Sequence, residues 1–423
     1  MIRVSGPDIA SLVRAVCGPL PRARGVRLAR LRDDAGVFDE GLITWMPGPR
    51  SYTGEDVAEI SCHGNPLLAE RLLAALVSAG ARPAQPGEFT RRAFLNGRMD
   101  LTRAEAVLQA IRASSHAGLA VARAGLDGAV AARAEALRDA LVDIAAELEA
   151  ALDYPGEDLL VAGDAALAER LDGIAAEAGA IVAGARGARF AVEGARVALV
   201  GPVNAGKSSL FNALLGADRA LVSPTPGTTR DVVESALVLP GLRVVLCDTA
   251  GERDTADPIE AAGLALAARM VAEADLVLVV IPGDRPLDAW AADLLARTAD
   301  RPRRVVVTHA DAPLRIVLPG GAHYVSSTTG AGVDALRAAL PAALVGEEPG
   351  AVTALVANQR QADAFARLGA RAAEAGDALR VGVGAAVAVE RVYEALTTVD
   401  ALVGRDTREE VLDRLFARFC IGK

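Results

Sequence analysis

Several short stretches of this sequence combine residue types and spacings suited to phosphate chemistry. Gly201-Pro202-Val203-Asn204-Ala205-Gly206-Lys207-Ser208 follows the apolar run Arg196–Val200 and precedes Ser209–Leu215, which reads as a helix. A loop in that setting turns tightly at its glycines, so several backbone N–H groups converge on phosphate oxygens. The helix start behind it adds partial positive charge. Lys207 is the expected counter-ion of the β- and γ-phosphate oxygens and Ser208 the expected magnesium ligand. Asn204, Ala205, Gly206 and Ser209 complete the phosphate-facing set.

Further along, Thr225-Pro226-Gly227-Thr228-Thr229-Arg230-Asp231, with Ser223 and Pro224 just before it, reads equally as a plain polar loop or as one placed to supply a second magnesium ligand, for which Thr229 is the choice. Asp248-Thr249-Ala250-Gly251 ends the run Val244–Cys247. An aspartate there can hold magnesium through water, and Gly251 can offer its N–H to a γ-phosphate. Thr308-His309-Ala310-Asp311 follows the run Val305–Val307. A carboxylate at Asp311 can accept from both N1–H and N2–H of guanine, a pair adenine does not offer. The usual pattern is Asn-Lys-x-Asp. Threonine keeps one hydrogen bond, and histidine can lie flat on a purine but lacks the stem and fixed charge of lysine. Weakened nucleotide affinity is therefore expected. Val325-Ser326-Ser327-Thr328, with Gly330 and Gly332 behind it, reads as the last loop packing against the base. Arg230 and Arg253 lie near the right loops but read as solvated surface, so no arginine finger is legible.

These loops need a rigid frame. Residues 196–345 alternate short β-branched runs (Val197–Val200, Val244–Leu246, Leu276–Ile281, Val305–Val307) with helical segments, which predicts an open, mainly parallel sheet. Residues 1 to 98 mix short strands with Gly/Pro turns and two helices, near 8–17 and 66–79, an α+β texture. From 101 to 190 the chain is alanine-rich. Leu119, Leu126, Val130, Leu137, Leu141, Leu148 and Leu152 recur at steps of seven and four, the spacing of one helix stripe. A break is expected at Tyr154–Asp158, and the helical texture returns after 345. The fold class expected is α/β multidomain, with an α+β N-terminal domain over 1–98, a helical bundle over 99–193 and 346–423, and an inserted P-loop GTPase domain of Ras-like fold over 194–345.

The net charge of −9 argues against a chain that coats nucleic acid through bulk positive charge, without excluding a local RNA contact. The four cysteines, Cys17, Cys62, Cys247 and Cys420, show no metal-like spacing and suit reduced thiols. The start lacks a signal-peptide pattern and no apolar run reaches eighteen residues, so a soluble cytoplasmic protein without a membrane partner is expected.

Other blocks carry a resemblance. Ile2-Arg3-Val4-Ser5-Gly6-Pro7, Ser51–Asp56, Pro86-Gly87-Glu88-Phe89 through Arg98, and the terminal Phe419-Cys420-Ile421-Gly422-Lys423 accompany the nucleotide motifs. Together they resemble the tRNA-modification GTPases of the MnmE/TrmE family, from the first residues to the last. The resemblance implies an N-terminal domain that binds a one-carbon tetrahydrofolate (the 5-formyl or 5,10-methylene form) and forms a homodimer. It implies a heterotetramer with the FAD-dependent MnmG (GidA) protein, which together install an aminomethyl-type group on C5 of the tRNA wobble uridine. It implies hydrolysis activated by potassium, held by Asn204, Ser223, Thr225 and Thr228, and a water-orienting glutamate at Glu260, a residue that reads equally as a solvated helix position. Arg3, Glu59, Arg98 and Lys423 match the folate positions. The chain begins inside the first family block, so an edge strand and Gly-rich turn beside the folate are expected to be missing. His63-Gly64-Asn65 replaces the usual His-Gly-Gly, and Arg98 stands where some members carry lysine. Cys420 reads equally as a nucleophile or a buried thiol. Two other readings stay open: a GTP-dependent RNA-binding or ribosome-assembly switch, and a degenerate paralogue that binds nucleotide weakly.

Overall fold

The computed structural model describes residues 1–113, 115–153, 163–216, 233–239, 242–248, 271–318, 320–345, 355–382, 384–405, 409–419 and 422. The chain forms two compact units, one of Met1–Leu108, Leu126–Asp172 and Arg371–Lys423, the other of Gln109–Gly125 and Gly173–Ala370.

In the first unit, β1 (Ile2–Gly6), β2 (Gly25–Asp33), β3 (Gly36–Met46) and β4 (Asp56–Ser61) form an antiparallel sheet in the order β1-β4-β3-β2. Alternation decides its faces. Ala29, Leu31, Ile43 and Ile60 point inward with Val13 and Val16 of α1 (Ile9–Cys17) and Leu72 and Leu76 of α2 (Pro66–Ser78). Both helices lie within two residues of their expected positions. α2 starts where it does because Asn65 Oδ1 accepts from the Leu67 N–H at 2.9 Å and Pro66 needs no donor partner in the first turn. The opposite face of the β2–β3 hairpin leaves Val26 63% and Leu28 61% exposed, beside exposed Leu42.

Gly87 precedes α3 (Glu88–Leu95) in left-handed conformation, φ 70°. A Cβ there would stand 2.5 Å from the Phe416 carbonyl, so only glycine admits the close approach of the C-terminal helix Glu409–Phe416. Phe416 and Phe419 bury against Leu101 and Ala104 of α4 (Leu101–Arg112), and Arg91 pairs with Glu409 and Asp413, both at 3.1 Å. Two sequence blocks that share no local pattern are thus packed together.

The single leucine stripe is corrected. Gly128, φ 92°, separates α5 (His116–Leu126) from α6 (Ala129–Asp153). Val130, Leu137, Leu141 and Leu148 are buried on α6, which packs against the helix Ala385–Val403, whereas Leu119 and Leu152 are exposed. The expected break at Tyr154–Asp158 lies outside the described residues.

The second unit holds a six-stranded sheet, order β10-β9-β8-β5-β7-β6, from β5 (Ala195–Val200), β6 (Val233–Leu239), β7 (Leu242–Asp248), β8 (Leu276–Pro282), β9 (Arg303–Thr308) and β10 (His323–Tyr324). All pairs are parallel except β6 with β7. β8 is buried at every position, as an unbroken apolar run between two helix layers should be. α8 (Lys207–Leu215) covers one face through Leu210, Phe211 and Leu214, and Ala291 and Leu294 of the helix Ala289–Arg297 cover the other. α7 (Asp164–Glu193) enters β5 with only Gly194 between them. Among the described residues, no helix is long and apolar enough to cross a membrane.

Candidate nucleotide site

The loop Gly201–Gly206 sits between β5 and α8 at the carboxyl end of the parallel sheet, where such sheets bind ligands. Gly201 is required by packing: a Cβ would lie 2.2 Å from the Val280 carbonyl of β8. Asn204 and Gly206 adopt φ of 60° and 81°, which folds the loop back onto the start of α8. Asn204 takes this conformation without being glycine, a position asparagine tolerates better than most residues.

Lys207 is the first residue of α8 and only 7% exposed. Its Nζ donates to the Gly201 carbonyl at 2.8 Å and the Pro202 carbonyl at 2.9 Å. A buried ammonium needs such partners, and here the acceptors belong to the loop that would wrap a phosphate. Asn204, Ser208 and Ser209 are exposed and Ala205 is buried. The Asn204 amide and Ser208 hydroxyl are oxygen donors of the kind that hard cations select, so these residues fit the potassium and magnesium they are expected to hold. β7 ends at Asp248, in register with Leu199 one residue before β5 ends. Ser223, Pro224, Thr225, Pro226, Gly227, Thr228, Thr229, Thr249, Ala250, Gly251 and Glu260 lie outside the described residues, as do Arg230 and Arg253.

The candidate base-reading element is tied directly to the candidate phosphate loop. Thr308, 1% exposed, donates from Oγ1 to the Ala205 carbonyl at 2.6 Å. Its hydroxyl has one proton, so the 3.3 Å approach to the Ile281 carbonyl is a secondary contact. His309 adopts φ 57°, and its Nε2 lies 3.3 Å from where a Cβ on Gly206 would stand. The Ala310 N–H donates to the Val325 carbonyl at 3.1 Å, which seats the Ser326 loop beside Asp311. The buried Ser326 hydroxyl hydrogen-bonds to Asp311 and, with further help from the backbone and His309, holds that carboxyl below the usual carboxylate range. The same oxygen accepts from the Thr329 N–H at 3.2 Å. Asp311 is exposed and ionised, the state needed to accept two N–H groups from a base. Ser327 and Thr328 continue this loop at increasing exposure.

Two residues escape a reading of the sequence. Asp284 Oδ1 lies 3.3 Å from His309 Nδ1, and Arg285 Nη2 donates to the Val203 carbonyl at 3.3 Å. Both sit in the turn after β8, where Gly283-Asp284 signals a loop but not what the loop touches.

In the first unit, Arg3 and Glu59 face each other across β1 and β4. Arg3 donates from Nε at 2.8 Å and from Nη2 at 2.6 Å to Glu59 Oε1, and from Nη1 to the Gly422 carbonyl at 3.3 Å. Its guanidinium lies over the Tyr52 and Phe89 rings. A cavity of about 680 Å³ opens beside it, lined also by Arg82, Glu88 and Arg92. Arg98 is exposed, its stem packed beside Gly54, and Lys423 and Cys420 lie outside the described residues. Cys17 and Cys247 are free thiols pushed up by burial to about 11 and about 12, which makes them inert.

Sheet order, strand–loop–helix phosphate cradle and base-side carboxylate define a P-loop GTPase domain within a multidomain chain. A family model described as the N-terminus of the GTP-binding protein TrmE matches residues 1–98, and one for the MnmE helical domain matches 101–420. The tRNA modification GTPase MnmE of Halorhodospira halophila is 43% identical, with 100% of this chain and 92% of that one covered. Its counterparts in Akkermansia muciniphila (39%; 100% and 95%) and Thermus thermophilus (43%; 92% and 86%) are similarly related. The chain belongs to the MnmE family.

Proposed function

We propose that this chain is a cytoplasmic GTP hydrolase that works in tRNA modification, activated by potassium and acting with an FAD-dependent MnmG partner. The partners would together add an aminomethyl-type group to C5 of the wobble uridine. The observation that carries the reading is the Thr308–Ala205 hydrogen bond, which ties the strand end that leads to Asp311 to the loop that holds Lys207, in a chain of this family.

In this reading Lys207 leaves its own carbonyls for phosphate oxygens, and the N–H groups at the start of α8 face the same charge. Ser208, with Thr229, is assigned to magnesium. Asn204, with Ser223, Thr225 and Thr228, is assigned to potassium, whose charge offsets what builds on the β–γ bridge. Glu260 orients the attacking water. Asp311 reads guanine N1–H and N2–H, with Thr308, His309, Ala310 and Ser326–Thr328 forming the wall behind it.

We assign the G domain to 194–345, the helical domain to 99–193 and 346–423, and the N-terminal domain to 1–98. The folate is placed beside Arg3, Glu59, Arg98 and Lys423. The cavity at Arg3 and its aromatic neighbours support that placement, although Arg3 and Glu59 satisfy each other here. The exposed Val26, Leu28 and Leu42 supply an apolar surface of the kind a homodimer covers, and the partner completes a heterotetramer. GTP turnover in potassium versus sodium at matched ionic strength tests the activity. Strong activation by potassium alone is expected. Equal, feeble turnover in both salts would favour a slow RNA-binding switch or a degenerate paralogue.

A further inference from the structure

The turn after β8 touches the nucleotide site at two points that no known role accounts for. Asp284 and Arg285 are consecutive, and they reach His309 and the Val203 carbonyl respectively. The turn is fixed from behind, since the Gly283 N–H donates to the Thr308 carbonyl at 2.9 Å and the Gly283 carbonyl accepts from the Arg315 N–H at 2.8 Å. A Cβ at Gly283 would stand 2.8 Å from the Thr308 carbonyl, so glycine is what admits this close approach of the turn to β9.

His309 is held between this turn and the phosphate loop. Its Nδ1 is buried and lacks an aligned hydrogen bond, although Asp284 Oδ1 is 3.3 Å away. Its Nε2 end leans over Gly206. The charged groups that interact with the ring are Asp284 from the turn and Asp311 from its own loop. A small rotation of the ring would align Nδ1–H with Asp284 and set the imidazole plane between Gly206 and the base-reading carboxylate. A buried polar atom with a carboxylate in reach, but without a bond, is a site poised for such an adjustment.

We propose that His309 and Asp284 form a two-residue clamp for guanine nucleotides, in which Asp284 orients the imidazole and the imidazole positions the nucleotide over Gly206. The inference rests on the GTPase reading. Neither residue is a catalytic residue, because neither is placed at the reacting atoms. Asp284 acts through His309 as a positioning residue.

The test is titration of the full-length chain with a fluorescent GDP analogue, together with KM and kcat for GTP. The variants are His309→Asn, Asp284→Asn and the double substitution. Asparagine at 309 tolerates the left-handed backbone, so loss of fold does not confuse the result. Each single change is expected to weaken GDP binding and raise KM by about tenfold, with a smaller effect on kcat, as expected when an oriented contact to a ligand is lost. The double variant should lose little more than either single, because the clamp acts as one unit. His309→Lys should restore affinity even when combined with Asp284→Asn, since lysine's fixed charge needs no orienting partner. Unchanged affinity in His309→Asn, or fully additive losses, would overturn the clamp alone. A wild-type chain that binds no GDP would sink the GTPase reading and the clamp with it.

Discussion

Thr308 Oγ1 donates to the carbonyl of Ala205 at 2.6 Å across 103 residues of sequence. This bond ties the loop proposed to read the base to the loop proposed to hold the phosphates. Each end of that link can be tested separately.

Lys207→Ala should lower GTP turnover by about a hundredfold or more, because the phosphate charge loses its main counter-ion. Single-turnover hydrolysis at saturating GTP is the measurement. Turnover at the wild-type rate would mean that the phosphate is held elsewhere.

Asp311→Asn should shift preference from GTP toward xanthosine triphosphate. The amide offers a donor where the guanine N2–H needed an acceptor, and xanthine has a carbonyl at that place. Competition binding with both nucleotides reads the change. An unaltered preference would place base recognition on other residues.

Gly87→Ala should destabilise the first unit by about 1–3 kcal/mol or more, the range for overpacking, with backbone strain added. The new Cβ would meet the Phe416 carbonyl at 2.5 Å and the residue would hold φ 70°. A lowered thermal transition is expected. Melting identical to wild type would show that the C-terminal helix does not seat there.

Glu88 gives a pH prediction. The Arg82 guanidinium, with help from the Gln85 N–H and Arg92, holds its carboxyl at about 2. The folded value lies below the unfolded one, so this contribution is present above the ordinary glutamate range and is lost as pH falls toward 2. Glu88→Gln should therefore melt below wild type at neutral pH, and the gap should close through the acid range. A gap that stays constant from neutral pH down into the acid range would contradict the pairing.

What is legible in the sequence is what is coded locally. The phosphate loop needs glycines at fixed spacing between a strand and a helix, and β5, β8 and β9 are apolar runs bounded by turn residues. The antiparallel edge strand β6 is followed in sequence by the turn pair Pro240-Gly241, but Glu234 and Ser235 interrupt its apolar run and it does not stand out as a strand. The leucine stripe misleads because period alone does not see Gly128, whose left-handed backbone starts a new helix within the pattern. Asp284 is invisible for a different reason. Its neighbour His309 is brought by a separate strand, and no spacing rule records a contact between two turns. Arg3 and Glu59 read as separate ligands, whereas strand pairing sets them opposite each other.

The joint at the base of β5 has a mechanical consequence. Asp275 Oδ2 accepts from the Arg196 N–H at 2.9 Å, while Asp275 Oδ1 accepts from Arg189 Nη2 at 2.6 Å near the end of α7. Gly194 alone separates that helix from the strand, and its N–H caps the Phe190 carbonyl at 2.9 Å. The strand is therefore pinned at its heel like a rod set in a socket. It has no slack with which to slide, so a displacement imposed at its Gly201 tip must bend the loop itself or turn the end of α7 with it.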